Sequence, residues 1–307
     1  MSAGGGRIAI IAALLANAGI AVAKFVGYLI TGSSSMLAEG VHSVADTSNQ
    51  ALLLLGQKRA KREATLEHPF GYGRARYFYS FVVALLLFSL GSVFALYEGI
   101  HKLESHEPLI SPLVAVVILA VAIVLEILSF RTAIRESRPL KGDGTWWQFI
   151  RKSKSPELPV VLLEDAGALF GLFFALGGVG LSMLTGSIVW DAIGTLCIGV
   201  LLGVIAIILI VETKSLLIGE GSGSDELQRI HSAIVGDGID RVIHLKTQYL
   251  GPDELLIAAK IAVPATMSTG EVARVIDEAE TRIRSSVSAA RIIYLEPDLD
   301  RTPATSS

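Results

Sequence analysis

Three ionisable residues, Glu39, His42 and Asp46, lie in a stretch that is otherwise small or apolar. Spacings of three and then four residues put them on one face of a helix, with neighbours about 5–6 Å apart. The small residues Ala38, Gly40, Ser43 and Ala45 allow another helix to approach closely. A second acidic pair, Glu164-Asp165, is followed by Ala166, Gly167, Ala168 and Gly171. An imidazole and carboxylates converging from two helices suit a tetrahedral site for a borderline divalent ion such as zinc. Adjacent helical residues point about 100° apart, so Glu164 and Asp165 are not both expected to face Asp46. The bland alternative is a set of hydrogen-bonded structural groups. A His and an Asp four residues apart, with acids on another helix, favour the metal.

The elements that hold these residues must cross a bilayer. The 307 residues are 51% hydrophobic and 18% charged, with mean hydropathy +0.57. Soluble domains carry about 25% charge. About 20 apolar residues in a helix span the hydrocarbon core. Six segments qualify: Ile8–Ile30, Met36–Leu55, Tyr77–Ile100, Leu109–Phe130, Leu158–Leu184 and Ile188–Ile210. Ionisable groups inside a bilayer are costly and read as functional by default.

The connectors set the orientation. Lys58, Arg59, Lys61, Arg62, Arg74 and Arg76 lie between segments two and three. Arg131, Arg135, Arg138, Lys141, Arg151, Lys152 and Lys154 lie between segments four and five. The opposite side holds Lys102, beside Glu104 and Glu107. The positive-inside rule then places both termini in the cytoplasm. A multi-pass protein of a bacterial inner (plasma) membrane or an organelle membrane is expected. The opening MSAGGGR reads as the start of a retained helix rather than a cleaved leader. Net charge −3 says nothing about nucleic acid, but residues 222–297 hold 11 acidic and 8 basic side chains and so form no nucleic-acid patch, and the single Cys197 excludes an intrachain disulfide. Trp190 suits an outer interfacial anchor. Trp146-Trp147 suits the inner interface or ordinary loop packing.

Past about Gly219 the pattern changes. Asp225–Val235 reads as a helix, Val242–Leu250 and Leu255–Val263 as strands around the turn Gly251-Pro252-Asp253-Glu254, Ser268–Ser285 as an amphipathic helix, and Ala290–Leu295 as a last strand before Pro297. The expected organisation is a six-helix transmembrane domain over 1–218, a cytoplasmic α+β (ferredoxin-like) domain over 219–298, and a disordered tail over 299–307.

The run GSSSMLAEGVHSVADTSNQALLLLG, residues 32–56, resembles the second helix of the cation diffusion facilitator family. HPFGYGRARY at 68–77, SLGSVFALYEGIHKL and WDAIGTLCIGVLL also fit that family. The resemblance implies a divalent metal efflux transporter, zinc in a proton antiport, working as a homodimer without a prosthetic group. It assigns His42 and Asp46 to the helix-two metal pair and Asp165 to the helix-five acid. The helix-five partner position falls on Val161, so one expected ligand is missing, and Glu164, Glu39 or a water is left to fill the gap. His68 matches one member of an accessory loop site whose other positions hold Thr65 and Tyr72. In the tail His244 falls on a metal position, whereas Lys260 and Tyr294 replace histidines, implying a reduced or absent cluster.

The remaining ionisable groups read as structural. Asn17 and Lys24 are expected to bond between helices, Asp191 to cap the sixth helix, and Glu98 and Glu126 to snorkel from helix ends. His101, His106 and His231 are expected to be solvated. Two rival functions remain: a membrane metal sensor or scaffold, and an intramembrane metalloenzyme, which lacks an HExxH motif here.

Overall fold

The computed structural model describes residues 18–105 and 111–299. The retained-helix reading of the N-terminus, Asn17, His106, the start of the fourth segment and the 300–307 tail lie outside these residues. The chain divides into two compact units. One comprises the residues up to Lys58 with Arg76–Lys214; the other comprises Arg59–Ala75 with the residues from Ser215 onward.

The first unit is helical. It contains α1 (Ala18–Thr31), α2 (Ser34–Ala60), α3 (Ala75–Ser105), α4 (Pro112–Lys141), α5 (Trp146–Lys152), α6 (Glu157–Thr185) and α7 (Val189–Ile218). Among the described residues α3, α4, α6 and α7 are long and apolar enough to cross a membrane. The described part of α1 is shorter, and α2 is 27 residues long but carries the polar site. Most helices outrun the apolar segments that mark them, because the backbone continues helically past the hydrocarbon into charged residues. The third also takes in a π-helical turn at Val83–Phe88.

Small residues let these helices meet. Ala38, Ala84, Ala95, Ala115, Ala122, Ala175 and Ala206 are buried with Leu119, Leu172, Ile198 and Leu202 in one core. A Cβ on Gly171 of α6 would collide with Oε1 of Glu39 on α2, so glycine there permits the α2–α6 approach. By contrast, α4 buries only 22% of its most apolar stretch and turns the rest outward, as a lipid-facing helix does.

The second unit holds α8 (Ser224–Ile234), β1 (Arg241–Gly251), β2 (Glu254–Ala262), α9 (Thr269–Ser286) and β3 (Ala290–Asp298). The sheet order is β1-β2-β3, with β1/β2 antiparallel and β2/β3 parallel. Ile230 and Ile234 of α8 and Val275, Ala279 and Ile283 of α9 cover Leu255, Ile257 and Ile261 of the sheet, giving the two-layer α+β domain. The last strand does not stop before Pro297: it pairs through Ile261↔Pro297 to Asp298. Proline is tolerated because β3 is an edge strand, and its missing N–H faces away from β2. The 59–75 loop lies against this sheet at Gly73, where a Cβ would stand 2.7 Å from the carbonyl oxygen of Leu250.

Candidate intramembrane metal site

One turn of α2 separates each of Glu39, His42 and Asp46 from the next, and all three are buried. Nδ1 of His42 lies 3.5 Å from Oδ1 of Asp46. Two ligands bound tetrahedrally at about 2.0–2.1 Å stand about 3.3 Å apart, so the pair needs little rearrangement to share an ion. Glu39 is occupied differently. The Lys24 ammonium of α1 donates to Glu39 Oε2 at 2.9 Å and to Ser43 Oγ at 2.8 Å. Lys24 thus bonds between helices as expected, and it draws Glu39 away from the other acids.

A cavity of about 10 Å³ lies between α1, α2, α4 and α6, lined by Ile20, Ser43, Asp46, Gln50, Glu126, Glu164 and Asp165. That is room for about one water-sized sphere. Both Glu164 and Asp165 line it together with Asp46, contrary to the expectation that only one could. Helices α1, α2 and α4 close the cavity around α6, so directions 100° apart on α6 both lead into it. Asp165 reaches across to α4, where Ser129 Oγ donates to its Oδ2 at 3.1 Å. Oε1 of Glu39 is buried without a hydrogen bond among the described residues, and the carboxylate of Glu164 is buried beside the side chain of Asn49. A buried carboxylate oxygen without a hydrogen bond is the natural partner of a cation.

Glu126 is the functional candidate that sequence reasoning assigned to a helix end. The helix extends to Lys141, so Glu126 sits at its middle and lines the same cavity as the other carboxylates. The signal was available in the charged residues Arg131–Lys141, which can continue a helix outside the hydrocarbon as readily as a loop. Val161 is half-buried and packs among apolar residues, offering no ligand. The acids and His42 do not form a closed chelate: among the described residues no three His, Cys, Asp or Glu side chains stand in chelating positions around one point.

His68 belongs to the second unit. It is exposed in the 59–75 loop, edge-on to Tyr72 at 4.6 Å, and its N–H donates to Thr65. On the C-terminal sheet, exposed His244 is paired in register with Lys260, whose ammonium reaches Glu296 at 3.2 Å and Asp298 at 3.1 Å. His101 and His231 are exposed.

Asp191 also differs from expectation. It is fully buried, and its carboxylate caps the start of α2 rather than its own helix. It accepts from Ser33 Oγ at 2.8 Å, from the Ser34 N–H at 3.0 Å, from Ser34 Oγ at 3.2 Å and from Ser35 Oγ. Nearby, Lys102 is buried and donates to the Gly32 carbonyl at 2.8 Å. These bonds fix the start of the helix that presents His42 and Asp46.

Membrane-length helices enclosing buried acids, followed by a small α+β domain, define an integral, multi-pass membrane protein. A family model for the cation efflux transmembrane domain matches residues 10–218, and one for the cation efflux protein cytoplasmic domain matches 223–298. The chain belongs to this family, the cation diffusion facilitators. It is 36% identical over 241 residues to the proton-coupled zinc antiporter SLC30A9, mitochondrial, of Xenopus laevis, covering 78% of this chain and 43% of that protein. It is 30% identical over 258 residues to metal tolerance protein C4 of Arabidopsis thaliana, covering 82% and 56% respectively. The magnetosome protein MamB of Paramagnetospirillum magneticum is 27% identical over 173 residues, covering 54% and 57%. The chain spans about half the length of these relatives.

Proposed function

We propose that this protein is a transporter rather than an enzyme, moving a divalent metal ion, zinc, out across the membrane in exchange for protons by alternating access. The observation that carries the reading is the convergence of Asp46, Glu126, Glu164 and Asp165 on one small cavity inside an apolar bundle, with His42 beside Asp46. Such groups bind metal only when deprotonated, so metal and protons compete for the same atoms. If the site opens alternately to the two sides, that competition becomes exchange. Membership of the cation efflux family and the names of the zinc-antiporter relatives support the same reading.

His42, Asp46 and Asp165 are assigned as metal ligands. Glu164 and Glu126 stand in for the ligand missing at Val161, and Glu39 and His68 lie outside the inner set. The presence of a nitrogen donor favours zinc over manganese. The bilayer domain is taken as 1–218, the cytoplasmic domain as 219–298 and the tail as 299–307. Both termini lie in the cytoplasm, on the side of the basic connectors, and the C-terminal domain holds a homodimer together.

Val161 supports a second reading, a metal sensor that binds without transport. Proteoliposomes carrying a pH gradient separate the two. Zinc flux driven by the gradient, lost in His42→Ala and in Asp46→Asn, is expected; undiminished flux in either variant overturns the site. Zinc binding with no flux for any metal favours the sensor.

A further inference from the structure

Polar side chains that the intramembrane site does not use close one end of the helical unit. Ser33, Ser34, Ser35, Asp191 and Thr195 are all fully buried where the start of α2 meets the start of α7. The Asp191 carboxylate accepts from the three serine hydroxyls as well as from the Ser34 N–H. Ser34 Oγ also stands 3.0 Å from Thr195 Oγ1, and Ser33 Oγ stands 3.0 Å from Ser35 Oγ. Capping a helix takes one side-chain oxygen on a backbone N–H. The extra hydroxyls go beyond what a cap needs.

The other joints on this part of α7 are made differently. A Cβ on Gly178 of α6 would stand 2.7 Å from the Trp190 carbonyl oxygen, and one on Gly194 of α7 would stand 2.7 Å from that of Phe174. A Cβ on Gly99 of α3 would stand 3.1 Å from the Leu196 nitrogen, and one on Gly199 of α7 would stand 2.9 Å from that of Leu96. Glycines thus bring the backbones of α3 and α6 onto α7, and parting them would forfeit dense van der Waals contact. By contrast, hydroxyls and a carboxylate hold α2 to α7. When such a seam parts, water replaces each lost bond, so the net cost per bond is small. Of the three joints, this one opens at the least cost.

The seam also leads to the metal site. Ser35, Glu39, His42, Ser43 and Asp46 are all buried, and their spacing makes a polar stripe along one face of α2. Eleven residues at 1.5 Å each set Ser35 about 16 Å from Asp46 along the helix. Glu39 lies between them, and its Oε1, without a hydrogen bond among the described residues, abuts Gly171 of α6. Both α2 and α7 begin at the outer end of the bundle on the topology proposed above.

We propose, resting on the transport reading above, that Asp191 and the serines of α2 form the outer gate of the transport pathway. The cluster seals α2 to α7 while the ion cavity faces the cytoplasm. It parts to release the ion along the stripe past Glu39.

The test locks the seam and then loosens it, in full-length protein with Cys197→Ser. Ser34→Cys/Thr195→Cys puts two thiols where the hydroxyls stand 3.0 Å apart. Bridged by oxidation, this variant is expected to bind zinc in detergent as before but to lose gradient-driven zinc flux in proteoliposomes, and to regain it on reduction. Flux that survives the bridge, or zinc affinity lost with it, would overturn the gate. Ser35→Ala removes one donor and keeps Asp191, Ser33 and the Ser34 N–H that the cap uses. A membrane-impermeant thiol reagent applied from outside is expected to label a Ser43→Cys reporter in the cavity wall roughly fivefold faster or more in that variant. Unchanged labelling would overturn the gate as well. Unbridged protein that binds zinc but moves none would instead refute the transport reading itself, and the gate with it.

Discussion

The ammonium of Lys24 stands 2.9 Å from Oε2 of Glu39, and both side chains are at least 98% buried. A cation supplied by α1 is thus built into the polar face of α2, one turn from His42. Removing one member of a buried pair strands the other charge, at a cost of about 3–5 kcal/mol. Lys24→Met is expected to lower thermal stability in detergent by that order, and Lys24→Met/Glu39→Gln to recover most of it. A double variant as unstable as the single one would mean that the pair is not coupled.

Glu126 lines the cavity with Asp46, Glu164 and Asp165, whereas Glu98 on α3 does not. Glu126→Gln is expected to weaken zinc binding by roughly 10- to 100-fold in calorimetry, the range for groups that support a metal site. Glu98→Gln should leave it unchanged. Equal effects of the two would remove Glu126 from the site.

Four donors converge on the Asp191 carboxylate, and one of them, the Ser34 N–H, cannot reverse its role. An amide in its place turns one acceptor into a donor facing these groups. Asp191→Asn is expected to cost about 1.5–3 kcal/mol, the range for hydrogen bonds to a charged group. The readout is the thermal midpoint in detergent; an unchanged midpoint would dismiss the cap.

In the C-terminal domain Glu271 closes a capping box with Ser268, accepting from its N–H and its hydroxyl at 2.8 Å each. The Ser268 backbone N–H, and then its hydroxyl, hold the Glu271 carboxyl below its ordinary range. A carboxyl whose folded pKa is depressed adds stability above its ordinary value, about 4.3. That contribution is lost as pH falls through the lower folded value. Amide protection in the first turn of α9 should therefore fall in acid, and Glu271→Ala should remove that pH dependence. The same dependence in the variant would exclude the box as its cause.

The local elements were legible wherever one short-range signal dominated. The α9 helix begins beside Ser268 as its spacing implies, and β1 and β2 flank the Gly251-Asp253 turn. Helix ends were less legible. Hydropathy registers what lies in hydrocarbon, whereas hydrogen bonding carries α4 onward to Lys141, and that moved Glu126 from a helix end to its centre.

By itself the sequence determined that the chain enters a bilayer, that a soluble domain follows, and that Glu39, His42 and Asp46 share one face, because hydrophobicity and the 3.6-residue period are properties of consecutive residues. Only the tertiary structure decided which charges meet. It gave Glu39 to Lys24 and Asp191 to the serines of α2, and it brought Glu126 with both Glu164 and Asp165 to Asp46. Those pairings depend on how helices rotate and slide against one another, and small residues such as Gly171 permit that close approach without encoding which partner will fill it.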